Sequence, residues 1–255
     1  METFIGIMIP FFGTTLGALC VFLFREKVSD KILSSFLALA AGIMVSASFF
    51  SLILPALEAG GDNAIIPVTI GFMAGGIFLF VLDRILPHLH PNTNTVEGLP
   101  AHLKKSTMLV LAVTLHNIPE GMAVGLLYGV ALQSGDVVSF SSALALSLGI
   151  ALQNIPEGAA ISLPLKKTGM SNVKAFIYGM LSGIVEPLGA AIAIFFVSLV
   201  GGMMPWLLSF AAGAMMYVVV EELIPEAHMD EHSHHITFIF MIGFAMMMVL
   251  DVVLG

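Results

Sequence analysis

The sequence predicts an all-α membrane protein built from eight transmembrane helices, and three observations carry that prediction. Of the 255 residues, 58% are apolar and 10% charged, with a mean hydropathy of +1.02. Globular chains carry roughly a quarter charged residues, so a soluble fold of this composition would lack polar surface. The apolar residues fall into eight runs of about 18 residues or more, the length a helix needs to cross the hydrocarbon core. The nine Lys and Arg are confined to alternate connections between those runs. With no water inside a bilayer, each span must satisfy its own backbone as a helix. The same composition excludes intrinsic disorder. A net charge of −8 excludes a nucleic-acid-binding surface. The single cysteine, Cys20, forms no intrachain disulfide and belongs to no zinc-finger spacing.

The elements follow in order. The first span, 4–24, comes after the acidic Glu2 and before Arg25 and Lys27, the reverse of a secretory signal peptide, so it reads as a retained helix. The second, 32–57, carries Met44, Ser46, Ser48 and Ser51; a lone Met reads first as packing, and small residues mark close helix contact. Glu58 and Asp62 follow it, acids that either attract cations or simply face solvent. The third, 64–86, ends at Asp83 and Arg84, read as an interfacial ion pair. The fourth and fifth, 106–131 and 138–163, carry a repeated motif, and the sixth, 172–199, a related one. The seventh, 204–227, places Glu221 and Glu222 about 12 Å along the axis from the midplane, where they would pass cations to histidines beyond. The eighth, 236–254, holds Asp251, to which no role is assigned.

Orientation follows from the cations. Arg25, Lys27 and Lys31 lie between spans one and two, Arg84, Lys104 and Lys105 between three and four, and Lys166, Lys167 and Lys174 between five and six. The positive-inside rule makes these connections cytoplasmic and puts both termini outside. Two cytoplasmic loops stand apart: 87–105, with His88, His90 and His102, and 226–235, EAHMDEHSHH, with His228, His232, His234 and His235. Each is either a solvated loop or a low-affinity metal-holding segment.

The chemistry concentrates in LHNIPEG, Leu115 to Gly121, and LQNIPEG, Leu152 to Gly158. A charged side chain at mid-bilayer costs about 2.5–3.5 kcal/mol even on the lenient insertion scale, so Glu120 and Glu157 need a compensating partner. His116 and Glu120 are four apart, as are Gln153 and Glu157, which stacks each pair on one helix face, with Asn117 and Asn154 one position round. A short turn makes the two spans antiparallel. The pairs His116/Glu157 and Glu120/Gln153 share one midpoint, between Asp136 and Val137, so all four side chains fall within about one helical turn, 5.4 Å. A direct repeat on an antiparallel hairpin generates a pseudo-two-fold axis in the membrane plane, suited to a midplane site. Pro119 and Pro156 remove backbone donors for the carbonyls of Leu115 and Leu152, so helices four and five are expected to kink. The competing reading keeps the carboxylates protonated beside two plain proline kinks.

In span six, Glu186 precedes Pro187 in GIVEPLG, a third buried carboxylate beside a helix break, able to complete a second cation site that shares Glu120 and Glu157; a structural hydrogen bond is the rival role. Carboxylate, amide and one imidazole without thiolate accept zinc, iron, manganese or cadmium with little preference. The metal is then cargo, and no cofactor is implied. A different class, an intramembrane metal-dependent hydrolase, would use the same ligands to activate water. It is disfavoured by the single intramembrane histidine and the absence of HExxH. An organic-solute transporter or channel would need aromatic or cationic substrate contacts in the pathway, and none stands out.

These motifs, with AAGIMVSASFFSLILPALE in span two and AAGAMMYVVVEELIPEA in span seven, resemble the Zrt-/Irt-like (ZIP) divalent metal transporter family, in its prokaryotic-type form. The resemblance covers almost the whole chain. It implies import of zinc into the cytoplasm across the cell membrane, with other divalent cations accepted, through a binuclear centre between spans four, five and six. The first metal would be held by His116, Glu120, Gln153 and Glu157 with Met44 near it, the second by Asn117, Glu120, Asn154, Glu157 and Glu186. Glu58 would guard the entrance and Ser51 line the outer path. Gln153 stands where many members have histidine, which favours broad specificity over tight zinc selectivity. The resemblance also implies an inverted-repeat bundle moving as two parts, and a homodimer in lipid.

Overall fold

A computed structural model of the chain describes residues 1–23, 29–86, 88–89, 96–97, 105–135, 137–199, 202–227 and 234–254. Helix α1 (Glu2–Ala18) continues after one turn residue into the short α2 (Cys20–Leu23). The second run starts at α3 (Asp30–Ala47), capped by the Ser29 hydroxyl, which accepts from the Ile32 N–H. It passes through a π-helical segment, Ser48–Ile53, into α4 (Leu54–Gly60). Helix α5 (Ile65–Ile85) follows a single 3-10 turn, Gly61–Asn63. In the connection read as a loop, β1 (His88–Leu89) and β2 (Val96–Glu97) form a two-residue antiparallel ladder. Helices α6 (Lys105–Ser134) and α7 (Val137–Lys167) are the longest and are joined through Gly135, whose φ of 65° is the left-handed conformation that ends α6. The sixth run is broken into α8 (Asn172–Ser182) and α9 (Val185–Leu199). The seventh comprises α10 (Met204–Val218), a second π-helical segment, Val219–Leu223, and the single turn α11 (Ile224–Glu226). The eighth is α12 (His234–Leu254).

Every expected apolar run therefore coincides with helix. Seven of these helical stretches are long and apolar enough to cross a membrane among the described residues. Helix α6 is not among the seven, although at about 1.5 Å per residue its 30 residues are long enough to cross. Helices α6 and α7 continue as helix through Pro119 and Pro156. Neighbouring turns on each side carry enough hydrogen bonds to hold one missing N–H. The two π-helical segments had no counterpart in the sequence reading, because a single inserted residue leaves the apolar pattern of a fully apolar span unchanged.

Packing joins the helices in four close pairs: α1 with α7, α6 with α9, α5 with α10, and α3 with α12. Each pair is held by glycines against the partner's backbone. A Cβ at Gly13 would meet Ala151, at Gly121 Glu186, at Gly75 Phe210, and at Gly42 Phe240. Lipid tails are as apolar as leucine, so such close backbone approach, rather than expulsion of apolar surface from water, holds membrane helices together. Helices α3, α7 and α10 are largely buried, while α5 and α12 are mostly exposed. Phe4, Phe12, Ile70, Ile77, Phe195, Phe238 and Ile242 belong to the exposed apolar surface, as a lipid-facing exterior requires.

Candidate functional site

The motif residues meet where α6, α7 and α9 pack together. Asn117, Glu120, Gln153, Asn154 and Glu186 are all fully buried, and His116 and Glu157 nearly so. The register derived from the repeat is seen directly in one pair: the Gln153 amide donates to Glu120 Oε1 at 2.7 Å. Glu157 lies within electrostatic reach of both His116 and Glu120, and Glu120 within reach of Glu186. Glu186 occupies the first turn of α9, immediately after the break at Gly183 and Ile184, as its neighbouring proline suggested. There the Asn117 amide donates to its Oε1 at 3.0 Å and to the Ser182 carbonyl at 3.2 Å.

The three amides share a pattern. Gln153 gives its NH2 to Glu120, Asn117 gives its own to Glu186 and Ser182, and Asn154 donates to the Pro10 carbonyl at 3.4 Å. What each amide leaves without a partner is its oxygen. Asn117 Oδ1, Gln153 Oε1, Asn154 Oδ1, Glu120 Oε2, Glu157 Oε2 and Glu186 Oε2 are buried and have no hydrogen-bond partner. Buried polar atoms without partners are rare, and each costs about 1–3 kcal/mol. A concentration of six, all oxygens and all from the two motifs and GIVEPLG, is the chemistry of a cation-binding locus. Among the described residues no three His, Cys, Asp or Glu side chains close into a ready cage. The donors are divided between carboxylates and amides instead.

Three neighbours were not anticipated. His116 Nε2 is in direct contact with Glu222 Oε1 across the bundle. The sequence placed Glu222 well away along the axis, beside Glu221. In the structure the π-helical segment Val219–Leu223 turns Glu222 into the core while Glu221 stays exposed. The extra residue in that turn shifts the helix phase, which an α-helical count does not include. Thr14 of α1, a buried residue outside every motif, donates to Glu186 Oε1 at 2.8 Å. Ser51 donates to Asp251 Oδ1 at 2.5 Å, which gives the acid of α12 a partner.

The remaining candidates are dispersed. Met44 is fully buried within the apolar core that also contains Met215. Glu58 is exposed on α4. Asp83 is buried and accepts from Tyr217 at 3.4 Å, while Arg84 lies 5.0 Å from the centre of the Phe80 ring. His234 and His235 are exposed at the start of α12. His90, His102, His228 and His232, with Arg25, Lys27 and Lys104, lie outside the described residues.

A bundle of membrane-length helices around a buried cluster of carboxylates, amides and one imidazole defines an integral membrane protein with a polar locus inside the bilayer region. Known proteins of this kind match the chain closely. The sequence profile of the family described as ZIP Zinc transporter matches residues 99–251. Zinc transporter GufA of Myxococcus xanthus is 37% identical, with 95% of both chains covered. Zinc transporter ZIPB of Bordetella bronchiseptica is 38% identical over 96% of this chain and 79% of its own. Zinc transporter ZIP11 of Homo sapiens is 34% identical over the whole of this chain and 97% of its own. The chain belongs to the ZIP zinc transporter family. It is a transporter and not an enzyme, so the hydrolase reading falls.

Proposed function

We propose that this protein carries divalent metal ions, zinc first and cadmium, iron or manganese with it, across the cell membrane into the cytoplasm. The observation that carries the reading is the set of six buried oxygens without partners, which a divalent cation would satisfy together. Two cations share the centre: one among His116, Glu120, Gln153 and Glu157 with Met44 beside it, the other among Asn117, Glu120, Asn154, Glu157 and Glu186. Charge supports two. Glu120, Glu157, Glu186 and Glu222 carry four negative charges when ionised, which two divalent cations balance if His116 is neutral. Oxygen-rich, thiolate-free ligation favours breadth over strict selectivity.

In this reading α6 supplies an eighth span, both termini lie outside, and α6 and α7 bend at their prolines. The four glycine-held pairs suit an inverted repeat: exchanging span one with six, two with seven, three with eight and four with five maps α1·α7 onto α9·α6 and α5·α10 onto α12·α3. Ser51 and Glu58 belong to the outer path, Glu221, Glu222 and the cytoplasmic histidines of 226–235 to the inner one, and two copies pair in the membrane. Uptake of zinc, cadmium, manganese and iron into proteoliposomes tests it. Glu120→Ala and Glu157→Ala should each abolish most uptake; wild-type rates in both would overturn the proposal.

A further inference from the structure

We infer that Thr14, on the first helix and outside every motif, is a positioning residue that aims the Glu186 carboxylate into the metal centre. The inference rests on the transport reading above. Glu186 is fully buried, and its two oxygens are treated differently. Oε1 accepts twice, from Thr14 Oγ1 at 2.8 Å and from Asn117 Nδ2 at 3.0 Å, while Oε2 accepts from nothing. Two donors on one oxygen leave the other as the single metal-facing atom and fix the plane of the carboxylate. Thr14 has one proton to give, and among the described residues its other acceptor is the Pro10 carbonyl at a long 3.5 Å, so the shorter bond to Glu186 takes it.

The position of Thr14 is built, not incidental. Glycines press α1 onto α7 on both sides of it: a Cβ at Gly13 would meet the Ala151 backbone, at Gly17 the Ile155 backbone, and at Gly158 the Thr14 carbonyl itself. Gly183, at the break before α9, keeps the space open, since a Cβ there would lie 2.9 Å from Thr14 Oγ1 and 3.0 Å from Glu186 Oε1. The branched Cβ of threonine restricts χ1, so the hydroxyl is held ready before metal arrives. Partners of this outer kind typically change metal affinity by about 10–100-fold when lost. The same helix also holds Asn154, whose amide donates to the Pro10 carbonyl while its Oδ1 is buried without a partner.

The test is concentration-dependent zinc uptake in proteoliposomes containing full-length protein. Thr14→Val preserves shape and removes the donor; it should raise KM about tenfold while Vmax per transporter changes less than twofold. Thr14→Ser, which restores the hydroxyl, should return KM to within about twofold of wild type on the same scale. An unchanged KM in Thr14→Val, or a raised KM that serine does not correct, overturns the inference. If Thr14→Val does not reconstitute, Thr14→Ala is measured by zinc-induced thermal stabilisation in detergent, where stabilisation at wild-type zinc concentrations is the overturning result. Glu120→Ala runs alongside: persistent uptake there defeats the transport reading itself, whatever Thr14 does.

Discussion

Gly121 offers the sharpest test of how the fold places the site. It lies one residue after Glu120 and faces the backbone of Glu186, so one methyl group here disturbs the helix pair and the third carboxylate together. In Gly121→Ala the added Cβ would sit 2.3 Å from the Glu186 carbonyl oxygen and 2.7 Å from its Cα, where ordinary contact begins at 3.4 Å. Helices α6 and α9 must therefore separate by about 1.1 Å at this point, and backbone atoms cannot rotate aside as a side chain does. Overpacking of this kind costs about 1–3 kcal/mol, partly offset by the roughly 1 kcal/mol that alanine gains over glycine in a helix. Gly189→Ala is the matched control on the same interface, because its Cβ would meet nothing closer than the Ile118 carbonyl oxygen at 3.4 Å. Thermal unfolding in detergent with zinc uptake in parallel gives the readout. Gly121→Ala should unfold several degrees lower and lose most uptake, and Gly189→Ala should match wild type or unfold slightly higher. Wild-type stability and uptake in Gly121→Ala would refute the reasoning, since the close approach would then not position Glu186.

Two further predictions follow. His116 and Glu222 touch across the bundle, so His116→Ala and Glu222→Ala should be non-additive: a double-mutant cycle on thermal stability should give a coupling of about 1 kcal/mol or more, and strict additivity would show that the contact has no energetic content. Gln153→His replaces an amide with an imidazole, a better ligand for zinc than for manganese, so KM for zinc should fall several-fold relative to KM for manganese; parallel uptake titrations with an unchanged ratio would remove Gln153 from the selectivity argument.

Much of this protein was legible along the chain because the bilayer makes local rules strict. A span must be a helix, so apolar runs gave its bounds to within a few residues. A heptapeptide repeated on a hairpin with a short turn fixes which residues stand level, and the Gln153–Glu120 hydrogen bond at 2.7 Å has that register. Glu186 beside Pro187 marked a helix break that the structure has. These features depend on residues close in sequence, where helix geometry converts spacing directly into position.

Tertiary structure decided the rest. Thr14 and Glu186 are 172 residues apart, Ser51 and Asp251 200, and His116 and Glu222 106, and no helical period relates such positions. Which way the Asn117 and Asn154 amides turn depends on carbonyls supplied by other helices, Ser182 from α8 and Pro10 from α1. The π-helical turn at Val219–Leu223 chose Glu222 over Glu221 for the interior. Sequence marked the carboxylates and amides of the two motifs and of GIVEPLG as buried, because only a functional or compensated group survives in an apolar span. It did not determine their partners, because a partner is set by how glycine-lined helix faces seat against one another, and that is a property of the assembled bundle.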